Sequence, residues 1–209
     1  VTTEAALYNA SNNGKILEIQ SDITLTDDRT LASDIILIDG GGSIVLDGYD
    51  LEGVNTKIVF LSDKMFIDSK TGTLSGSWIP PSTFNQKNLG AIGDGFQLDD
   101  VNITSGNNVV TSASGLFTSN MVGQTISIVG AGANALGSEP QNQSLTSTIT
   151  GYTNSTTITI ADNAINTVSG DYARIGTDNY NAILQCAYLR NQQGGTLEFV
   201  GKDEVFLTT

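Results

Sequence analysis

Six short apolar runs follow one another in the first third of the chain. They are KILEI (15–19), ITLT (23–26), DIILI (34–38), SIVL (43–46), KIVFL (57–61) and KMFID (64–68). Each is too short for a stable helix and is rich in Ile, Val and Leu, which pack well on a pleated surface. The separators SD, DD, DGGG, DGYD and GVN carry turn chemistry: Gly supplies positive φ, and Asp side chains fold back on backbone N–H groups. A chain punctuated this way folds as strands joined by tight turns. Ile23, Ile35, Ile44, Ile58 and Phe66 mark successive runs at steps of 12, 9, 14 and 8 residues. Strict repeats are usually more regular, so residues 1–76 are expected to form a short, imperfect stack of turns, preferred over a small sandwich. Before them, TTEAALYNASNNG predicts a short helix capped by Thr2 or Thr3, with Ala5, Leu7 and Tyr8 on one side and Gly14 as its stop.

SWIPPSTFNQK (77–87) holds two of the three prolines. The stiff Pro80–Pro81 pair cannot enter a sheet interior, so this segment predicts a linker. Residues 96–175 carry NVVTSA, TISIVG, STITGYT, STTITIA and YARIG. TISIV and TTITI alternate apolar and polar residues, the pattern of a sheet with one buried face. This stretch predicts a small antiparallel β domain, with a long surface loop over 130–144. From residue 176 the texture changes. Thr177 or Asp178 suits an N-cap, and Tyr180, Ile183, Leu184, Ala187 and Tyr188 follow the spacing of one buried helix face. Gly194 and Gly195 end that helix, and TLEFV and EVFLT predict two strands joined by a GKD turn.

The formal net charge is −13, with no histidine and one cysteine in 209 residues. No basic stripe is present, which argues against nucleic acid and anionic lipid as partners. The absence of histidine removes His-based triads and His metal ligands. Cys186 lies in an apolar helical pattern and is expected to be a small buried hydrophobe. No apolar run is long enough for a membrane helix. The chain begins at Val1 without the pattern of a signal peptide and stops in a strand-like run, so it is expected to be an excised piece of a longer protein.

NLGAIGDG (88–95), an acidic pair, GTD, an amphipathic helix and GGTLEF occur in that order. This series resembles the start of the right-handed parallel β-helix of the pectate-lyase-like superfamily, as used by bacteriophage tail spikes. Gly90, Ala91, Gly93, Asp94, Gly95, Asp99 and Asp100 match the first half of that pattern. Thr177, Asp178, Ala182, Ile183, Gly194 and Gly195 match the second. LFTSNMVGQTISIVGAG, inside the 96–175 stretch, also resembles some tail spikes. Two departures stand out: Asp99–Asp100 precede Val101 instead of a helix, and the family's proline after the strand is replaced in EFVGKDEVF.

The resemblance implies a mainly β chain. It would hold an N-terminal head or neck unit (1–76), a linker (77–87) and a β-helix start with its capping helix (88–95 plus 176–209), interrupted by an inserted antiparallel β domain (96–175). It implies the N-terminal part of a homotrimeric tail spike in the virion, outside the cell. The partners would be other tail or baseplate proteins and, through the parent protein, bacterial surface polysaccharide that the parent hydrolyses or eliminates. The catalytic carboxylates of that family would fall after residue 209. No catalytic, cofactor-binding or metal residue is therefore assigned, and the chain alone is expected to be inactive. The alternatives are a truncated secreted pectate-lyase-like enzyme, or a glycan- or protein-binding module carried by the inserted domain.

Other acidic and aromatic residues are candidate sites. Asp94, Asp99 and Asp100 offer oxygen ligands for calcium, but turn formation is the preferred reading. Asp27, Asp28, Asp39, Asp47 and Asp50 are expected to be turn residues rather than a glycosidase pair. Trp78, Tyr49, Tyr152 and Tyr172 could stack on sugar rings, but Trp78 is expected to pack instead.

Overall fold

Parallel strands dominate the first part of the chain. The computed structural model describes residues 1–133, 143–193 and 196–198 and is mainly β. A short helix α1 (Ala5–Tyr8) leads into β1 (Ile16–Ile19), β2 (Ile23–Thr24), β3 (Arg29–Thr30), β4 (Ile36–Asp39), β5 (Ile44–Val45), β6 (Asp50–Val59), β7 (Ile67–Asp68), β8 (Thr73–Ile79) and β9 (Thr83–Asn85). One sheet runs β1-β4-β6 with β3 and β8 also on β6, and another runs β2-β5-β7. Every pair within them is parallel. Ile16 pairs with Ile36 and Ile36 with Lys57, while Ile23 pairs with Ile44 and Ile44 with Ile67. Arg29 pairs with Leu51, and Leu51 with Leu74. The chain thus returns to the same ladder after 20 to 23 residues. β6 serves two ladders, with a register shift between Gly53 and Thr56, where Asn55 takes a positive φ of 53°.

Alternation along each strand sends one residue in two inward. Leu17, Ile19, Ile23, Leu37, Ile44, Leu51, Ile58 and Leu74 all enter one core with Phe66 and Trp78. Each fully buried aliphatic chain contributes roughly 1.5–3 kcal/mol. Between the strands, turn carboxylates bond the next circuit. Asp22 accepts from the N–H and Oγ of Ser43, Asp28 from the Asp50 N–H, and Asp34 from Asn55 Nδ2. Asp39 accepts from Ser62 Oγ and Asp63 from Asn85 Nδ2. These bonds join residues 21 to 23 apart, so the polar side chains follow the same spacing as the strands.

Two expectations change here. α1 starts after Glu4, with no side-chain cap from Thr2 or Thr3, and of its residues only Leu7 is buried. Residues 77–87 are not a linker: Ser77–Ile79 end β8, β9 follows, and Pro80–Pro81 sit between two strands of one unit. A proline pair interrupts a ladder whether or not a domain ends there.

The second unit, Gly93–Asp178, is a closed antiparallel barrel. Its strands are β10 (Phe96–Ile103), β11 (Val109–Ser112), β12 (Thr125–Ile128), β13 (Leu145–Asn154), β14 (Thr157–Ile160) and β15 (Val168–Gly176), in the order β10-β11-β14-β13-β12-β15. Closure removes the exposed edges that an open sheet of this size would carry. Leu98, Val101, Val110, Phe117, Ile126, Ile149, Ile158 and Ile175 belong to its own core. Most of the expected 130–144 loop lies outside the described residues.

The chain then rejoins the first unit, which comprises Val1–Ile92 and, among the described residues, the segment from Asn179 to Glu198. Helix α2 (Tyr180–Gln193) is followed by β16 (Thr196–Glu198), which pairs in parallel with β9, Thr196 against Thr83. The buried residues of α2 are Ala182, Gln185, Cys186 and Leu189, whereas Tyr180 and Leu184 are about half exposed. The expected face, Tyr180, Ile183, Leu184, Ala187 and Tyr188, is therefore corrected. The helix turns two amides toward the sheet, as described below, and that sets its rotation. The expected stop at Gly194–Gly195 and the EVFLT strand lie outside the described residues.

Candidate functional site

The matched glycine motifs come together where the barrel begins and ends. Within the barrel unit, the Asp94 carboxylate accepts hydrogen bonds from Thr177 N (2.8 Å), Thr177 Oγ1 (2.8 Å) and Gln124 Nε2 (2.7 Å). Gly176 must be glycine, because a Cβ there would lie 2.8 Å from the Gly95 Cα. Within the first unit, Asn179 holds both backbone groups of Ile92. Its Oδ1 accepts from Ile92 N (2.7 Å), and its Nδ2 donates to Ile92 O (2.9 Å). Each unit thus fastens its own two chain crossings with one polar side chain.

A second polar cluster lies where α2 meets the β7–β8 circuit. Asn181 Nδ2 donates to Ser69 O (2.7 Å) and Gly72 O (2.6 Å), and Gln185 Oε1 accepts from Leu74 N (2.9 Å). Tyr188 donates its hydroxyl to Gly76 O at 2.8 Å. Backbone groups at the rim of a sheet need partners when covered, and the helix supplies them from side chains. Burial pushes the Cys186 thiol, on the same helix, up to about 12, which suits a packing role and not a nucleophile.

The acidic pair after the glycine motif does not join Asp94. Asp99 and Asp100 form a β-bulge in β10, between Leu98 paired with Ala173 and Val101 paired with Asp171. Asp100 accepts from Ser112 Oγ, Ser114 N and Ser114 Oγ, and Asp99 faces solvent. The hydrogen bond from the Ser112 hydroxyl holds the Asp100 carboxyl below its ordinary value, against a smaller opposing effect of burial; the Ser114 bonds add to the lowering. Among the described residues no group of three or more carboxylate or thiol side chains is placed to hold a metal ion.

The other candidate residues are scattered. Asp27 accepts from Asp28 N and contacts Arg29, Asp39 also accepts from Gly41 N, Asp50 accepts from Thr73 Oγ1, and Asp47 sits in a turn at φ 49°. Trp78 is buried, with its indole N–H on Ser75 O and its ring against Gly53, where a Cβ would come within 2.6 Å. Tyr49 is half-buried on the first core, while Tyr152 and Tyr172 are exposed on the barrel. Asn179, Asn181 and Gln185 went unread in the sequence. Asn181 and Gln185 carry a signal, two amides four residues apart in one helix, whereas Asn179, just before that helix, carries none. The barrel also carries a shallow groove of about 340 Å³ lined by neutral side chains, including Asn102, Thr104, Asn107 and Thr111. Among the described residues no helix is long and apolar enough to cross a membrane.

Searches against protein-family models, curated proteins and solved structures found no match to this chain.

Proposed function

We propose that the chain is the N-terminal part of a phage tail spike, serving virion attachment and, through its parent protein, recognition and depolymerisation of host surface polysaccharide. In this reading the first unit is a right-handed parallel β-helix that starts near the N-terminus. The barrel leaves it between two successive turns, and α2 covers the rim of the turn before it. The reading rests on the motif resemblance, and the observation that carries it furthest is the pairing of β9 with β16. A parallel ladder resumes across the inserted barrel, as a β-helix interrupted between two turns requires. The test is solution mass by light scattering over a dilution series. A stable mass of about three chains, a closed cyclic assembly, is the expected result. A monomer at every concentration overturns trimerisation by this segment and favours the secreted pectate-lyase-like alternative. Depolymerisation by the 209-residue chain alone would overturn the placement of the chemistry outside it.

A second reading, a binding module carried by the insert, is favoured by the barrel's separate core and its neutral groove. Glycan-array binding that disappears when residues 93–178 are replaced by a short turn would support it.

A further inference from the structure

Alternation on three neighbouring barrel strands turns a set of neutral polar side chains outward. β10 runs between β11 and β15. Val101 and Ile103 on β10, Val110 on β11 and Val168 on β15 belong to the barrel core, so the residues that alternate with them face the other way. Asn102 therefore stands on the outer surface, opposite Thr111 on β11 and Ser169 on β15. With Thr104, Asn107 and Thr167 these residues line the groove of about 340 Å³, and Val109, 39% exposed, adds an apolar face. The amides of the groove are held in place. Asn102 Oδ1 accepts from Ser169 Oγ (3.1 Å) and Gly170 N (3.1 Å), and its Nδ2 donates to Asp100 O (3.0 Å). Asn107 Oδ1 accepts from the N–H groups of Asn108 (2.8 Å) and Val109 (3.1 Å). Other donors remain free. Among the described residues, the hydroxyls of Thr104 and Thr111 and the Nδ2 of Asn107 have no partner. Thr167 Oγ1 accepts from Ser105 N (3.0 Å) and keeps its own proton to donate. We propose that this groove is a binding site for a neutral saccharide and that it rejects saccharides bearing carboxylates.

The proposal rests on the reading of the insert as a binding module and adds the site and the class of ligand. Fixed amides and free hydroxyls suit a ligand that is itself dense in hydroxyls, because donors and acceptors pair on both sides without stripping water from a charge. The apolar face of Val109 suits the C–H groups of a sugar ring. Because the amides are already ordered, little conformational freedom is lost on binding. Other ligand classes lack a partner here. The barrel is closed, so no strand edge is open to the backbone of a peptide. Residues 93–178 contain one basic side chain, Arg174, which pairs with Gln97 toward the far end of β10. The groove therefore offers no countercharge to a phosphate or carboxylate. Asp100 and Asp171 lie two residues from Asn102 and Ser169 on the same strands, and their charge opposes an acidic sugar. Neutral and acidic saccharides are thereby distinguished.

The test is NMR titration of the isotope-labelled chain with maltohexaose, chitohexaose and galactohexaose as neutral probes and hexagalacturonate as the acidic one. Shifts are expected at the amides of Asn102, Asn107 and Thr111 with a neutral probe, and none with hexagalacturonate. Thr104→Val combined with Thr111→Val removes two hydroxyls that bond nothing in the folded chain and keeps β-branched residues in place. The barrel is expected to fold unchanged while binding weakens roughly tenfold or more. Thr148→Val, on β13 and outside the groove, is expected to bind as the unsubstituted chain does. Should the double variant disturb the core, seen as altered shifts at Ile126, Asn107→Asp serves as the second probe, because it keeps the acceptor of the turn and loses the donor. Binding that survives these variants but disappears when residues 93–178 are replaced by a short turn overturns the groove and leaves the module reading standing. Binding that survives the replacement overturns both. No response to any neutral probe, or an equal response to hexagalacturonate, overturns the proposal.

Discussion

Asp100 takes its hydrogen bonds from Ser112 and Ser114, on and just beyond the neighbouring strand β11, so its charge ties the bulge of β10 to that strand. The expected consequence is a carboxyl that titrates below the ordinary range. Because the folded value is depressed, the ionised group stabilises the barrel at pH values above about 4 and stops doing so as pH falls through its folded value. Ser112→Ala, which removes the largest cause, is expected to move the Asp100 titration up toward the ordinary value. Carbon-detected NMR titration of the side-chain carboxyl checks this, and an unchanged midpoint in Ser112→Ala would show that the serine is not responsible. Asp94 and Asp100 each accept hydrogen bonds from groups distant in sequence, Asp94 from Thr177 and Asp100 from Ser112. Asp99 forms no such bond and owes its place to the bulge.

At the scale of elements, α2 is held through amides as well as through apolar packing. Gln185 is 4% exposed, and its Oε1 is the acceptor for Leu74 N. Gln185→Leu keeps the volume and orphans that buried N–H, which costs about 1–3 kcal/mol. The expected outcome is a first unit weakened by that amount in urea unfolding, with the Leu74 amide exchanging faster. A leucine tolerated without loss would mean that water or a shifted backbone replaces the amide. This helix also shows why the sequence was only partly legible. Spacing alone offered a plausible face through Tyr180, Ile183 and Leu184, but the sheet rim needs donors and acceptors, and no hydrophobic pattern records that need. The strands were more legible: five of the six apolar runs contribute residues to β1, β2, β4, β5 and β7, and KIVFL supplies the end of β6. β3, β8 and β10 were missed because polar residues and glycine break their alternation. The repeat spans two strands, so single steps look irregular. Taken two at a time, the steps of 12, 9, 14 and 8 give 21, 23 and 22 residues, the spacing at which parallel partners meet. Successive strands lie in different ladders, so the period belongs to every circuit and not to every strand.

At the scale of the whole molecule, an inserted domain must not tax the fold it interrupts. The barrel unit places 86 residues between Ile92 and Asn179, whose backbone and side chain are in direct contact. Bringing the ends of an unstructured loop of that length together costs about 3 kcal/mol more than closing one of three residues. A folded barrel removes most of that cost, because Asp94 and Thr177 already hold its two ends beside each other. Replacing residues 93–178 by a short glycine turn is therefore expected to leave the parallel stack folded, with its urea midpoint close to that of the intact chain. Asp94→Ala in the intact chain separates the two contributions. It removes three charge-assisted hydrogen bonds and is expected to weaken the barrel by about 2–3 kcal/mol. Under conditions that unfold the barrel, the stack should then lose up to about 3 kcal/mol of its own stability through the opened loop. The glycine-turn variant, having no loop to open, should unfold at the same urea concentration throughout. Exchange at Leu37 reports the stack and exchange at Ile126 the barrel, so the two transitions can be followed in one sample. A stack that fails to fold without the barrel would mean that the insert supplies contacts, not only closure. A stack indifferent to barrel unfolding would mean that the hold of Asn179 on Ile92 closes the loop unaided.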